Sequence, residues 1–150
     1  MLLPYQNAED QQFRGLPAVF LKILGSVSLI RASAHMWLPD GGAGSIVGLD
    51  LSLAGNALIS LFAWAGSTQF VWGLTILFVG IWYKRFIPIV LVLVVVENLL
   101  QFISIVGPKG SAGSMVAEAY PSMILAISSC LVLLFTLYRS SENLIETLKK

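Results

Sequence analysis

The chain has 150 residues, of which 57% are hydrophobic and only 11% are charged, and its mean hydropathy is +0.84. A water-soluble domain carries about a quarter charged residues, so the composition excludes an ordinary soluble domain and predicts the lipid bilayer as the main partner. The net charge of +1 argues against nucleic acid as a partner, and a single cysteine, Cys130, excludes an internal disulfide and a Cys-x-x-Cys site.

Four stretches have the length of about 20 mostly apolar residues that a membrane-spanning helix needs. They are predicted at residues 17–38, 67–83, 86–106 and 118–138, within a single membrane domain that covers residues 1–150. The flanking segments 1–16 and 139–150 are polar, and the first of them lacks the apolar stretch of a signal peptide. The second has the pattern of a separate short amphipathic helix capped by Ser140 or Ser141.

Residues 46–66, IVGLDLSLAGNALISLFAWAG, are apolar enough to form a fifth span, and the positive charges decide between the two topologies. Lys and Arg stay on the cytoplasmic side of a membrane. Five spans would place Lys84 and Arg85 outside, whereas four spans leave only Lys109 there. The sequence therefore predicts an all-α integral membrane four-helix bundle with both termini cytoplasmic. Residues 46–66 are then predicted to form an extra, non-spanning helical segment at the outer face.

A carboxylate interrupts the third predicted span in the stretch VLVVVENLLQF, residues 92–102. Glu97 lies near mid-span, where a charge costs about 2.5 to 3.5 kcal/mol, so it is predicted to face the bundle interior. Gln101 and Ser104 follow it at helical spacing and form a polar stripe, with Asn98 one step to the side.

The first predicted span carries Arg31 and His35 on one helical face. At about 1.5 Å rise per residue, Arg31 lies at a depth between those of Glu97 and Gln101. A salt bridge between Arg31 and Glu97 is therefore predicted. Such a pair either fixes the helices purely structurally or forms part of a ligand or proton site, and the sequence leaves both open. The candidate ligand-binding or polar-core residues are Arg31, His35, Asn56, Gln69, Glu97, Asn98, Gln101 and Ser104.

Small residues predict where helices approach each other closely. Gly25, Ser28, Ala32 and His35 share one face of the first span, and Gly66, Gly73 and Gly80 recur every seven residues. Cys130 is expected to be a buried, inert thiol. Because His35 is the only histidine, no metal site and no cofactor are predicted.

The order of these features resembles the DoxX-like group of small four-helix bacterial membrane proteins. The resemblance covers residues 17–138 and consists of a first helix ending before Pro39-Asp40, a Gly48-Leu49-Asp50 loop, a second helix closed by Lys84-Arg85, and a last helix opened by Pro121-Ser122. It implies a four-helix bundle in the bacterial inner membrane and assigns no catalytic residue.

Three function hypotheses follow. The first is a non-enzymatic membrane protein that binds a lipophilic or amphiphilic small ligand, or serves as an accessory subunit of a larger membrane complex. The second is a small membrane enzyme acting on a lipid-like substrate, with Glu97 and His35 as the acid–base pair. The third is an oligomeric transporter or channel subunit, since a single bundle of this size would need further copies of itself.

Overall fold

A computed structural model of the chain describes Phe13, residues 15–106 and residues 116–148. This part of the chain contains helices and turns and no strand. The helices are α1 (Leu16–Trp37), α2 (Gly55–Ile81), α3 (Ile87–Val106) and α4 (Val116–Leu148), and a short 3-10 turn, Lys84–Phe86, precedes α3. Four of the described helical stretches are long and apolar enough to cross a membrane. The predicted all-α fold with four membrane-spanning helices is confirmed.

The predicted extra segment at residues 46–66 is wrong, because its second half belongs to α2. Residues 46–54 form turns and irregular chain, and α2 then runs without interruption for 27 residues. The sequence predicts a helix boundary at Gly66 and Ser67. In the structure Ser67 Oγ donates to the carbonyl oxygen of Trp64 at 2.7 Å, within the helix. At about 40 Å, α2 is longer than the roughly 30 Å apolar core of a bilayer.

The prediction that a separate C-terminal helix begins near residue 140 is also wrong, because α4 continues without interruption to Leu148. Ser141 does not cap a new helix; its Oγ donates to the carbonyl oxygen of Tyr138 at 2.7 Å, inside α4. Pro121, expected in the first turn, lies inside the helix, which begins earlier than predicted, at Val116. The last span therefore has no helical boundary at residue 139.

The chain divides into two compact units, which we call the hairpin unit (Lys22–Phe78) and the terminal unit (Met1–Leu21 with Val79–Lys150). In the hairpin unit, α1 ends at Trp37 just before Pro39, which cannot continue the backbone hydrogen bonding of a helix. Residues 38–54 then return the chain to α2. The single domain predicted for residues 1–150 stays a prediction.

Small residues let α1 and α2 pack closely in the hairpin unit, as the sequence predicts. A Cβ built on Gly25 would lie 2.8 Å from the backbone nitrogen of Leu77, and one on Gly73 would lie 3.1 Å from Ser28 Cβ. A Cβ on Gly66 would lie 2.8 Å from His35 Cβ. Residues later in α1 therefore contact residues earlier in α2, so the two helices run antiparallel.

In the terminal unit, α3 packs along α4. The buried residues of α3 recur at helical spacing on one face, and those of α4 include three hydroxyl side chains, so the interface mixes apolar and polar groups. Cys130, on α4, is exposed, and the prediction of a buried thiol is wrong. The buried residues of these two helices are Ile87, Val90, Leu91, Val94 and Asn98 of α3 and Ser122, Ala126, Ser129, Val132 and Thr136 of α4.

Candidate functional site

His35 is the centre of a polar cluster at the end of α1 in the hairpin unit. Only 4% of the residue is exposed. Its Nδ1 lies 2.8 Å from the carbonyl oxygen of Gly41, and its ring meets the ring of Phe62 edge-on, with centroids 5.2 Å apart. Gly66 of α2 leaves no space beside its Cβ. The imidazole is therefore fixed by the loop on one side and by α2 on the other.

A tight turn presents the Gly41 carbonyl to His35. Gly41 and Gly42 both adopt positive φ angles, 61° and 77°, which L side chains rarely adopt. The carboxylate of Asp40 accepts hydrogen bonds from the backbone N–H groups of Gly42, at 2.9 Å, and Ser45, at 2.6 Å. The Ser45 hydroxyl donates to the same carboxylate. The N–H groups of Ser45 and then Gly42 hold the pKa of Asp40 below its ordinary value, because they stabilise the ionised form.

Arg31 adds a third member to the cluster. Its Nε lies 3.4 Å from His35 Nε2, one helical turn away, at the long end of hydrogen-bonding distance. A guanidinium group only donates and a carbonyl oxygen only accepts. The two contacts are compatible with each other when Nδ1 carries the proton and Nε2 presents a lone pair. A chain of hydrogen bonds runs from Arg31 through His35 to Gly41.

Arg31 is exposed although it lies within a helix that can cross a membrane. It is six residues before the end of α1 at Trp37, or about 9 Å along the helix axis. Because its Nε faces a residue four positions later, the side chain extends toward that end. The guanidinium thus lies nearer to the level of the lipid headgroups than the backbone of Arg31 does.

A second polar group lies between α3 and α4 in the terminal unit. Gln101 Nε2 lies 3.4 Å from Glu97 Oε1, and the Ser122 hydroxyl donates to Gln101 Oε1 at 3.2 Å. Glu97 is half-buried, so lipid exposure of its carboxylate is only partial. Asn98, one step to the side, is buried and its amide donates to the Val94 carbonyl oxygen at 2.8 Å. The predicted polar stripe that contains Glu97 and Gln101 is therefore hydrogen-bonded to α4 through Ser122.

The remaining predicted site residues lie apart from these two groups. Asn56 is exposed at the second position of α2, about 15 Å along the helix from Gly66. It lines an open cavity of about 320 Å³ formed by residues 51–57. Gln69 is half-buried in the middle of α2, and Ser104 is exposed on α3. The pairing of Arg31, in the hairpin unit, with Glu97, in the terminal unit, stays a prediction.

Sequence reasoning missed the partners that come from turns and from the facing helix. Asp40-Gly41-Gly42 has the composition of a turn, which would have located the bend but not the carbonyl oxygen that meets His35. Ser122 carries no signal of its own. Among the described residues, no three His, Cys, Asp or Glu side chains are placed to hold a metal ion.

No family model, no curated protein and no solved structure matches this chain. The resemblance to DoxX-like proteins stays a prediction.

Proposed function

We propose that this chain is a non-enzymatic integral membrane protein that binds an amphiphilic ligand and contacts the ligand's anionic head through Arg31. The observation that supports this most directly is the exposed guanidinium of Arg31 within a candidate span, oriented by the buried His35. Ionisable residues within membrane spans mark ligand, ion or partner sites by default.

The chemistry of the exposed surface fits such a ligand. A guanidinium presents five N–H donors and binds carboxylate or phosphate with two parallel hydrogen bonds. These donors allow a ligand contact and the predicted contact with Glu97 to coexist. Val27, one turn earlier on the same face of α1, and Ile30 beside Arg31 are both exposed. They supply apolar contacts below the charge, as an acyl chain or other lipophilic tail requires.

The enzyme alternative is less well supported by the contacts of His35. A general acid or base must reach the substrate with a nitrogen that exchanges protons. His35 is buried, its Nδ1 faces Gly41 and its Nε2 faces Arg31. An accessory subunit stays the second candidate, because a carboxylate on a partner helix can accept hydrogen bonds from a guanidinium in the same way as the head of a ligand.

The membrane and the orientation are part of the same proposal. We place the protein in a bacterial inner membrane, as a DoxX-like bundle with both termini cytoplasmic. The support is the clustering of Lys84 and Arg85 between α2 and α3, which matches the positive-inside rule for four spans.

The proposal is tested by mass spectrometry of the intact protein purified in a mild detergent. Wild type is expected to retain an amphiphile with a phosphate or carboxylate head, and Arg31→Gln is expected to lose it. Lys22→Gln is the matched control, because Lys22 is an exposed cation on the same helix. Equal retention by Arg31→Gln and wild type would contradict the proposal. Loss of a co-purifying protein instead of a small molecule would support the accessory subunit.

A further inference from the structure

We infer that Lys84, Arg85 and Arg139, which we call the basic cluster, bind the phosphate of an anionic phospholipid at one surface of the membrane. The cluster lies in the terminal unit, and the inference does not rest on Arg31 or on the function proposed for it. The partner is a lipid of the surrounding bilayer, in addition to any ligand that Arg31 binds.

The hydrogen bond between Ser122 and Gln101 fixes the level at which α4 passes α3. It joins the end of α3 to the start of α4, and the two helices pack along each other, so they run antiparallel. At about 1.5 Å per residue, Arg139 lies about 25 Å along α4 from Ser122. Counting back from Gln101 through α3 and the 3-10 turn places Arg85 about 25 Å away in the same direction. Arg85 and Arg139 therefore lie at one level.

The guanidinium groups of Arg85 and Arg139 can share one ligand. Packed helices lie about 8 to 10 Å apart, so long side chains from two neighbouring helix ends can reach the same group. Both arginines are exposed. Lys84 precedes Arg85 in the 3-10 turn and adds a third positive charge. A guanidinium binds phosphate with two parallel hydrogen bonds, so two of them favour a phosphate over a neutral headgroup.

The basic cluster lies at the depth of the lipid headgroups. Of the apolar helical stretches that can cross a membrane, one begins at Lys84 and another ends at Glu142. Exposed aromatic side chains flank the cations in the sequence, namely Trp82, Phe86 and Tyr138. Trp and Tyr side chains accumulate at the surfaces of a membrane. The cations therefore lie where the phosphates of a bilayer lie.

The apolar neighbours of the two arginines suit a lipid better than a soluble acidic protein. The guanidinium carbon of Arg85 lies 4.8 Å from the centroid of the Phe86 ring. Phe135 lies one turn before Arg139 on the same face of α4 and is exposed. It lies within the span, where a soluble partner does not reach. Phe86 and Phe135 thus provide apolar contacts for the acyl chains of a lipid whose phosphate the arginines bind.

The charge at this end of the terminal unit is complementary to an anionic headgroup. Glu142 is the carboxylate nearest to Arg139 along α4, and its Oε1 accepts a hydrogen bond from the Tyr138 hydroxyl at 2.8 Å. The three cations of the basic cluster outnumber this carboxylate. Each Lys or Arg near a membrane surface strengthens the binding of anionic lipid by about fivefold.

The first test compares two lipids on the intact full-length protein. Arg31→Gln is the background, so that binding at Arg31 does not contribute. Dioleoyl phosphatidylglycerol or dioleoyl phosphatidylcholine is titrated into the protein in a mild detergent, and bound lipid is counted by native mass spectrometry. We expect phosphatidylglycerol to bind about tenfold or more tightly, as two or more cations require. Equal affinities for the two lipids would overturn the inference.

Substitutions in the same background locate the binding. Arg85→Gln and Arg139→Gln are each expected to weaken phosphatidylglycerol binding about fivefold and to leave phosphatidylcholine binding and the melting temperature unchanged. Either variant alone tests the site if the other fails to fold. Lys22→Gln removes an exposed cation of α1 and is the control. An effect of Lys22→Gln as large as that of the arginine variants would mean that only net charge matters, and would refute the site.

Two competitors distinguish the source of the anion. Inorganic phosphate and a hexaglutamate peptide are each added at the same concentration as the lipid, and neither is expected to displace phosphatidylglycerol. Displacement by phosphate would assign the basic cluster to a free anion, and displacement by the peptide would assign it to an acidic protein. Either result would contradict a lipid site. Selectivity for phosphatidylglycerol that is lost in the arginine variants supports the inference whether or not Arg31 binds a ligand.

Discussion

Gly66 of α2 and His35 of α1 lie so close that a Cβ built on Gly66 would be 2.8 Å from the Cβ of His35 and 3.0 Å from the carbonyl oxygen of Ala32. No side chain fits between the two helices at this level. The glycine therefore sets the distance at which α2 supports the imidazole, and the hydrogen bond from His35 to Gly41 depends on that distance.

Gly66→Ala is expected to destabilise the protein by about 1 to 3 kcal/mol, because an added methyl group in a packed interface forces the backbones apart. Unfolding by denaturant in detergent measures the effect. Gly55→Ala is the matched control at the start of the same helix, where the added Cβ meets only Leu51, at 3.3 Å. It is expected to destabilise the protein less than Gly66→Ala, because the added Cβ has one close neighbour instead of three and the contact is longer than the 2.8 Å at Gly66. Equal effects of the two substitutions would show that close packing at Gly66 is not required.

Asp40 gives the loop a specific pH dependence. Its pKa in the folded protein lies below its unfolded value, so its hydrogen bonds stabilise the turn above the unfolded pKa of about 3.9. This contribution is lost as the pH falls through the lower, folded pKa. Below about pH 4, we expect the backbone amides of Gly42 and Ser45 to lose protection against hydrogen exchange. Asp40→Ala, which removes both acceptor oxygens, is expected to produce the same loss at neutral pH.

The control for this experiment is Asp50→Ala. Asp50 accepts from the Ser52 amide at 2.9 Å in a separate turn, and the N–H of Ser52 lowers its pKa in the same way. Its substitution should affect the exchange of Ser52 and leave Gly42 protected. Unchanged exchange at Gly42 in Asp40→Ala would mean that the carboxylate does not hold the turn.

Three serines of α4 have different expected effects when changed to alanine. Ser122→Ala removes the hydrogen bond to Gln101 of α3 and should cost about 0.6 kcal/mol, the average for such bonds in membranes. Ser129→Ala should be neutral or stabilising, because Ser129 Oγ is buried and has no hydrogen-bond partner among the described residues. Ser128→Ala, whose hydroxyl bonds Ile124 within α4, is the control. A loss of stability in Ser129→Ala larger than that in Ser122→Ala would indicate an unseen partner for Ser129.

The predicted pairing of Arg31 with Glu97 is tested by a double-mutant cycle. If the two are paired, Glu97→Ala removes the counter-charge of Arg31, and because Arg31 is exposed the cost should be smaller than the roughly 3 to 5 kcal/mol of breaking a fully buried pair. The double change of Arg31→Gln with Glu97→Gln should then be milder than the sum of the single changes. Thermal stability in detergent is compared across the cycle. Strictly additive effects would assign Glu97 a different partner.

Cysteine labelling tests the orientation in a background in which the exposed Cys130 is replaced by alanine. Ile46→Cys is chosen in the first loop because Ile46 is exposed, whereas Ser45 is bound to Asp40. Ile46→Cys and Ala112→Cys should both react with a membrane-impermeant reagent added outside. Lys84→Cys should react only after the membrane is opened. Labelling of position 84 from outside would refute the orientation.

The sequence by itself determined the class of the protein and the number of its spanning helices. Apolar stretches of the required length dominate the chain. The class and the number of spans follow from the composition along the chain, whichever residues pack against each other in the fold. The small-residue faces around Gly25 and Gly73 could also be predicted from the sequence, because residues on one face of a helix recur at fixed spacing. The sequence could not show that α2 continues through Gly66. A glycine that ends a helix and a glycine that lets a neighbouring helix pack closely look identical in a sequence.

Only the tertiary structure decided what the polar residues at membrane depth contact. The spacing of Arg31 and His35 predicted a shared face, but the Gly41 carbonyl oxygen that lies 2.8 Å from His35 Nδ1 comes from a turn that the chain reaches after α1 ends. Likewise, Ser122 meets Gln101 from across the gap between two helices. Hydrogen bonds require donor and acceptor atoms within about 3.5 Å of each other. Helical periodicity fixes the direction of a side chain around its own axis, and it carries no information on what another segment places opposite it.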